Sequence, residues 1–171
     1  MDLLFLNFAF LHFEFFARGL MISDKDVFFM RLALEDASLA FSEGEVPVGA
    51  VLVIDGNVAA KVHNKREASK DPTAHAEMLA MRKAAGEGNS WRLGEATLYV
   101  TKEPCPMCAG AIVNARIKRL VYGCKDEKGG AVDSLYRLLN DRRLNHQVEV
   151  VSGVLEGECA EMLKRFFQER R

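Results

Sequence analysis

Two short segments thirty positions apart, His75-Ala76-Glu77 and Cys105-Pro106-Met107-Cys108, constrain the fold of this chain more than any other feature. Together they hold three metal donors and one carboxylate. A tetrahedral zinc ion with three protein ligands keeps its fourth position for water. A glutamate nearby that does not bind the metal can move that water's proton, so the pattern implies hydrolytic chemistry. The fold must then bring two distant segments to one point. Asp71-Pro72 reads as the start of a helix through Ala76, Glu77 and Met78, with Asp as cap and Pro in the first turn. Thr97 to Thr101 reads as a buried strand, after which Pro104 opens a helix through Met107, Ala109, Ile112 and Val113. Cys105 and Cys108, three apart on that helix, share a face, and the positive end of each helix favours thiolate over thiol.

Three other readings compete for these residues. Cys-Pro-Met-Cys alone could be a redox pair, but redox folds of that kind place the motif after an early strand, and here it lies beyond residue 100. A structural zinc site needs a fourth Cys or His, and the chain has no second Cys-x-x-Cys or paired His. Taken singly, His75 is an ordinary core histidine and Glu77 a helix-dipole residue. It is the joint occurrence that favours a catalytic zinc held by His75, Cys105 and Cys108, with Glu77 as the proton carrier.

The order of elements predicts an α/β fold in three α/β/α layers, with a central mixed sheet of about five strands and helices on both faces. Val27, Met30, Leu34, Ala37 and Phe41 recur at helical spacing and predict a helix from Asp24 to Phe41. Val48 to Ile54 and Val58 to Val62 flank Asp55-Gly56, a two-residue hairpin signal. Further strands are expected at Ile117–Tyr122 and Val148–Val151, and further helices at Ser134–Leu139 and Leu155–Arg170. At 171 residues and 49% hydrophobic composition, one domain over 22–171 suffices.

Residues 1–21 stand apart. They are rich in Leu and Phe yet interrupted by Asp2, Asn7, His12, Glu14 and Arg18, so the apolar run is shorter than a membrane span requires. Asp2 sits where a secretory signal would carry positive charge. The expectation is that translation starts at Met21 and that the upstream stretch is not native; the alternative is an extra helix docked on the domain or on a partner. No membrane association is expected, and four cysteines without a disulfide-type pattern suggest the reducing cytoplasm, with Cys124 and Cys159 as small buried hydrophobes.

A net charge of −1 offers no global attraction to phosphate, but its distribution is uneven. Residues 1–45 hold eight acids and three bases, leaving 20 bases and 16 acids, or +4, for the rest. Lys61, Lys65, Arg66 and Lys70 precede the His-Ala-Glu segment, Lys125 and Lys128 flank a glycine-rich turn, and Lys164, Arg165, Arg170 and Arg171 bracket Phe166-Phe167. Basic residues interleaved with aromatics suit single-stranded RNA, although each such charge taken alone is more simply a solvated face and Phe166 a core residue.

The chain resembles the bacterial tRNA adenosine deaminases of the cytidine-deaminase superfamily. The resemblance runs from about Val27 to the C-terminus through Glu45 to Val53, His63-Asn64, Asp71 to Glu77, Glu103 to Ala111, Ser134-Leu135-Tyr136 and Leu144-Asn145-His146. Small-molecule cytidine deaminases usually open the motif with Cys-Ala-Glu, whereas the tRNA enzymes use His-Ala-Glu. The resemblance implies one zinc ion per subunit, deamination of the wobble adenosine to inosine in the tRNA anticodon loop, and a homodimer. It also implies that Asn64 hydrogen-bonds the substrate, that Val46 and Pro47 wall the pocket, that amides near Ala76 and Cys105 orient base and water, and that Asp126 meets a ribose 2′-hydroxyl. The alternatives are a deaminase of free cytosine, guanine or nucleosides, and a non-catalytic zinc-binding partner. Lys102 departs from the apolar residue usual at its place in the family.

Overall fold

A computed structural model describes residues 22–170; the apolar segment 1–21 and Arg171 lie outside the described residues. The hairpin forms where Asp55-Gly56 predicts it, between β1 (Gly49–Ile54) and β2 (Asn57–His63). Asp55 and Gly56 both take positive φ, 50° and 78°, the left-handed pair that matches the twist of two-residue hairpins. β1 also pairs antiparallel with β3 (Ala96–Lys102), which runs parallel to β4 (Arg119–Cys124), itself parallel to β5 (Glu149–Ser152). The sheet order is β2-β1-β3-β4-β5. It is the five-stranded mixed sheet expected.

Strand alternation assigns each face its cover. Ala50 and Leu52 of β1 and Leu98 and Val100 of β3 point into a cluster closed by α3 (Ala76–Glu87) and α4 (Pro106–Asn114), through Ala80, Met81 and Ile112. Val51, Val53 and Tyr99 point the other way, onto α1 (Asp24–Ser42) and α5 (Glu156–Gln168), through Phe29, Met30, Ala33, Cys159 and Leu163. Ser23 and Asp26 cap α1 reciprocally. The buried Asp26 carboxylate also takes two bonds from Arg119, at 2.6 and 3.1 Å, and one from the Tyr99 hydroxyl at 3.2 Å, which anchors α1 to β3 and β4.

Helix α1 lies so close to β1 that no side chain fits at Gly49. A Cβ there would stand 1.9 Å from the Ala33 carbonyl oxygen and 2.7 Å from the Ala37 nitrogen, both backbone atoms that cannot turn aside. Gly49→Ala therefore has to push α1 off the sheet and should destabilise the protein by about 3 kcal/mol or more. Chemical denaturation measures this directly, and an unchanged midpoint would show that the helix is not seated this tightly.

Three expected elements differ. The Asp71-Pro72 pair does not open a helix: Asp71 Oδ1 accepts from the Thr73 amide and hydroxyl at 2.8 and 2.7 Å, forming a turn, and α3 begins five residues later with extended His75 at its N-cap. Pro104 likewise precedes its helix. α4 opens with Pro106 in the first turn, after Cys105 as N-cap. Residues 134–139 form an irregular segment ending in a 3-10 turn at Leu138–Asn140, because the amides of Leu135, Tyr136 and Leu138 bond to the Gly130 and Ala131 carbonyls instead of the carbonyls four residues back that a helix uses. A short helix absent from the expectations, α2 (Arg66–Ser69), follows β2. Among the described residues no helix is long and apolar enough to cross a membrane.

Candidate active site

Both β2 and β3 run antiparallel to β1, so β2, β3 and β4 end at one edge of the sheet, where β1 begins. Ligands characteristically bind beyond the carboxyl ends of such strands. The loops leaving that edge deliver Asn64 after β2, Glu103 to Cys105 after β3, and Asp126 after β4, while Val46 to Val48 lead into β1. They enclose a cleft of about 290 Å³.

At its floor the N-termini of α3 and α4 meet. His75 and Cys105 are the N-cap residues, both in extended conformation, and neither side chain caps its helix. They face each other instead. His75 Nδ1 lies 3.7 Å from Cys105 Sγ and 3.6 Å from Cys108 Sγ, and all three donor atoms fall within 4.8 Å of one another. A tetrahedral zinc ion with Zn–S of about 2.3 Å and Zn–N of about 2.0 Å sets N···S separations of roughly 3.5 Å. The donor set therefore fits zinc in spacing and in charge, since two thiolates and a neutral imidazole balance a divalent ion. The neighbouring Cys108 and His75 hold the Cys105 thiol down at about 4, whereas Cys105 and burial push Cys108 up. Binding a divalent cation requires both sulfurs as thiolates, so it would release the Cys108 proton.

Glu77 sits in the first turn of α3, only 4% exposed, and lines the cleft with its carboxylate outside the three-donor cluster. Burial pushes its carboxyl up from the ordinary range, opposed by its own backbone amide and by His75. A group that must accept a proton and return it benefits from such a shift.

Above this floor the cleft is lined by Val46, Val48, Asn64, Arg66, Ala76, Lys102, Glu103, Asp126 and Phe167. A family model for MafB19-like deaminases matches residues 23–171. The tRNA-specific adenosine deaminase of Bacillus subtilis is 52% identical over 147 residues, 86% of this chain and 91% of that protein. That of Haemophilus influenzae is 51% identical over 150 residues, covering 87% of each. A structure solved in studies of A-to-I editing by tRNA:A34 deaminases at the wobble position of transfer RNA is 49% identical, with a TM-score of 0.77, covering 79% of this chain and 98% of that one. The chain belongs to the tRNA-specific adenosine deaminase family.

Within this deaminase most of the expected site residues come together, and one does not. His75, Ala76, Glu77, Cys105, Asn64, Val46 and Asp126 all line the cleft, with Cys108 buried beneath. Pro47 is buried and absent from the lining: it is the central residue of a tight turn closed by the Val48 amide on the Val46 carbonyl at 2.8 Å, and Val48 lines the cleft instead. The basic residues also separate. Arg66 lines the cleft, whereas Lys61 is committed to Glu35 at 2.7 Å and Asp36 at 3.2 Å on α1. Phe166 is core, packed on Phe41, while Phe167 is 49% exposed at the cleft. Lys102 pairs with Asp126 at 2.7 Å, a contact that its departure from the family pattern did not foretell.

Sequence reading missed Glu103 as a structural hub of the deaminase. Its buried carboxylate accepts from the amides of Asp126, Val132, Asp133 and Ser134 at 2.8–3.1 Å and from the Ser134 hydroxyl. Gly130 is required beside it, since a Cβ there would stand 2.3 Å from the carboxyl carbon. Burial disfavours ionisation, but the Asp133 amide, the Ser134 hydroxyl and the other donors outweigh it and hold Glu103 at about 2. Its value in the folded state lies below the ordinary 4.5, so its stabilisation is complete above 4.5 and lost as pH falls toward 2. The shift corresponds to about 3 kcal/mol. Glu103→Gln should lose about that much at neutral pH, and the gap between wild type and variant should close as pH falls toward 2. A gap independent of pH would show that the ionised carboxylate does not hold the loop.

Proposed function

We propose that this protein hydrolyses the 6-amino group of the wobble adenosine in a tRNA anticodon loop, giving inosine and ammonia. The observation that carries this reading is the convergence of His75, Cys105 and Cys108 beside the free carboxyl of Glu77, on a chain half identical to named tRNA-specific adenosine deaminases. His75, Cys105 and Cys108 would hold one zinc ion per subunit. When bound, zinc acidifies a water molecule at its open position. Glu77 accepts the proton of the attacking water and passes it to N1 of adenine as oxygen adds to C6. It then takes the proton of the new C6 hydroxyl and delivers it to the amino group, so that the C6–N bond breaks as the C6 carbonyl forms and ammonia leaves.

Asn64 contacts the inserted nucleotide, Val46 and Val48 pack against its base, and the amide of Ala76 helps to orient it. Arg66 and Phe167 at the mouth suit an RNA loop, whose phosphates pair with charge and whose bases stack on aromatic rings. Asp126, held by Lys102, meets a ribose 2′-hydroxyl. The working protein is a cytoplasmic homodimer. Supporting this is a groove between α3 and α4 lined by Met78, Met81, Leu93, Ala111 and Trp91, the last 59% exposed.

The test compares inosine formation in a transcribed anticodon stem-loop with turnover of free adenosine, cytosine and guanine. Preferential deamination of the RNA adenosine supports the reading. Faster turnover of a free base would replace it with small-molecule deamination.

A further inference from the structure

We infer that Glu45 is a positioning residue for the substrate pocket, acting through the side-chain amide of Asn64. The inference rests on the proposed function, because it concerns how the same cleft grips its nucleotide.

Glu45 is 1% exposed. A buried carboxylate is costly unless donors surround it. Glu45 has three: Asn64 Nδ2 at 2.9 Å, the Glu67 amide at 3.2 Å and the Ala68 amide at 2.7 Å. The two amides belong to α2, so that helix anchors the carboxylate while it holds Asn64. The backbone on either side is held independently: the Asn64 amide donates to the Val48 carbonyl at 2.9 Å and the Lys65 amide to the Ala74 carbonyl at 3.0 Å. What depends on Glu45 is the Asn64 side chain.

An asparagine amide is nearly symmetric in shape but opposite in hydrogen bonding at its two ends. An ionised carboxylate only accepts, so it admits the Nδ2 end and excludes Oδ1. Glu45 thus sets which end of Asn64 each substrate group meets. Glu45→Gln keeps the size of the side chain but removes that selection, since its amide can bind either end of Asn64.

The experiment is a double-mutant cycle on inosine formation in an anticodon stem-loop, using Glu45→Gln, Asn64→Ala and both together, with zinc content and melting temperature recorded for each. Glu45→Gln is expected to lower kcat/KM by about tenfold to a hundredfold, the effect of one charge-assisted hydrogen bond. The loss should fall mainly on KM, and the double variant should be no worse than Asn64→Ala alone. Losses that multiply in the double variant would overturn the inference. So would loss of zinc or of cooperative melting in Glu45→Gln alone, which would make Glu45 a folding residue. A wild-type protein that makes no inosine in the stem-loop would instead sink the proposed function.

Discussion

Glu77→Gln is expected to lower deamination of an anticodon-loop adenosine by about 10²- to 10⁴-fold while zinc content stays at the wild-type level. The two halves of that result have separate physical origins. The carboxylate stands outside the group of donor atoms formed by His75, Cys105 and Cys108, so replacing it leaves those donors intact. It also occupies a nearly isosteric place on α3, packed between the helix and the cleft, so the amide should fit. What glutamine cannot do is accept a proton and return it. Inosine yield by mass spectrometry and metal content by atomic absorption give both quantities. Turnover close to wild type would remove Glu77 from the chemistry, and joint loss of metal and activity would make it a ligand.

Cys108→Ser should have the opposite profile, losing metal, activity and stability together. Cys108 is fully buried in the first turn of α4, where its sulfur meets His75 Nδ1 at 3.6 Å. A serine hydroxyl is shorter, harder and far more reluctant to ionise than a thiol, so it is a poor ligand for zinc. The site joins two helices that begin thirty residues apart in sequence, and a cation binding only the folded state contributes its binding free energy to folding. At metal concentrations about a thousandfold above Kd this is roughly 4 kcal/mol, or a fall of about 10 °C in Tm for a domain of this size. Differential scanning calorimetry of wild type with and without a chelator, beside the variant, checks it. A chelator-treated wild type that melts with the untreated protein would show that the donors do not hold a metal.

The sequence revealed the metal donors more readily than the residues that support them. His75, Cys105 and Cys108 are readable because metal geometry demands a few residue types at fixed spacing. Alternation and helical periodicity located every strand and three of the long helices within a residue or two, since one buried face leaves a regular pattern. The helix starts were displaced for a physical reason. Asp71 and Pro104 carry standard start signals, but His75 and Cys105 are extended N-cap residues, so each helix begins only after them. Glu45 and Glu103 were invisible as hubs because their partners are mainly backbone amides 22 to 31 residues away, which carry no side-chain signature. Hydrogen bonds that reach back to the Gly130 and Ala131 carbonyls make 134–139 a loop instead of the expected helix. Pro47 is expected in the pocket wall with Val46, but the tight turn between Val46 and Val48 that tucks it inward leaves no periodic pattern.

Zinc K-edge X-ray absorption on the native protein reads the ligand set itself. Two sulfur ligands at about 2.3 Å, one nitrogen at about 2.0 Å and one oxygen from solvent are expected. Four nitrogen or sulfur ligands would close the position that water needs, and a shell without sulfur would place the metal elsewhere; either result would contradict a catalytic zinc held by His75, Cys105 and Cys108.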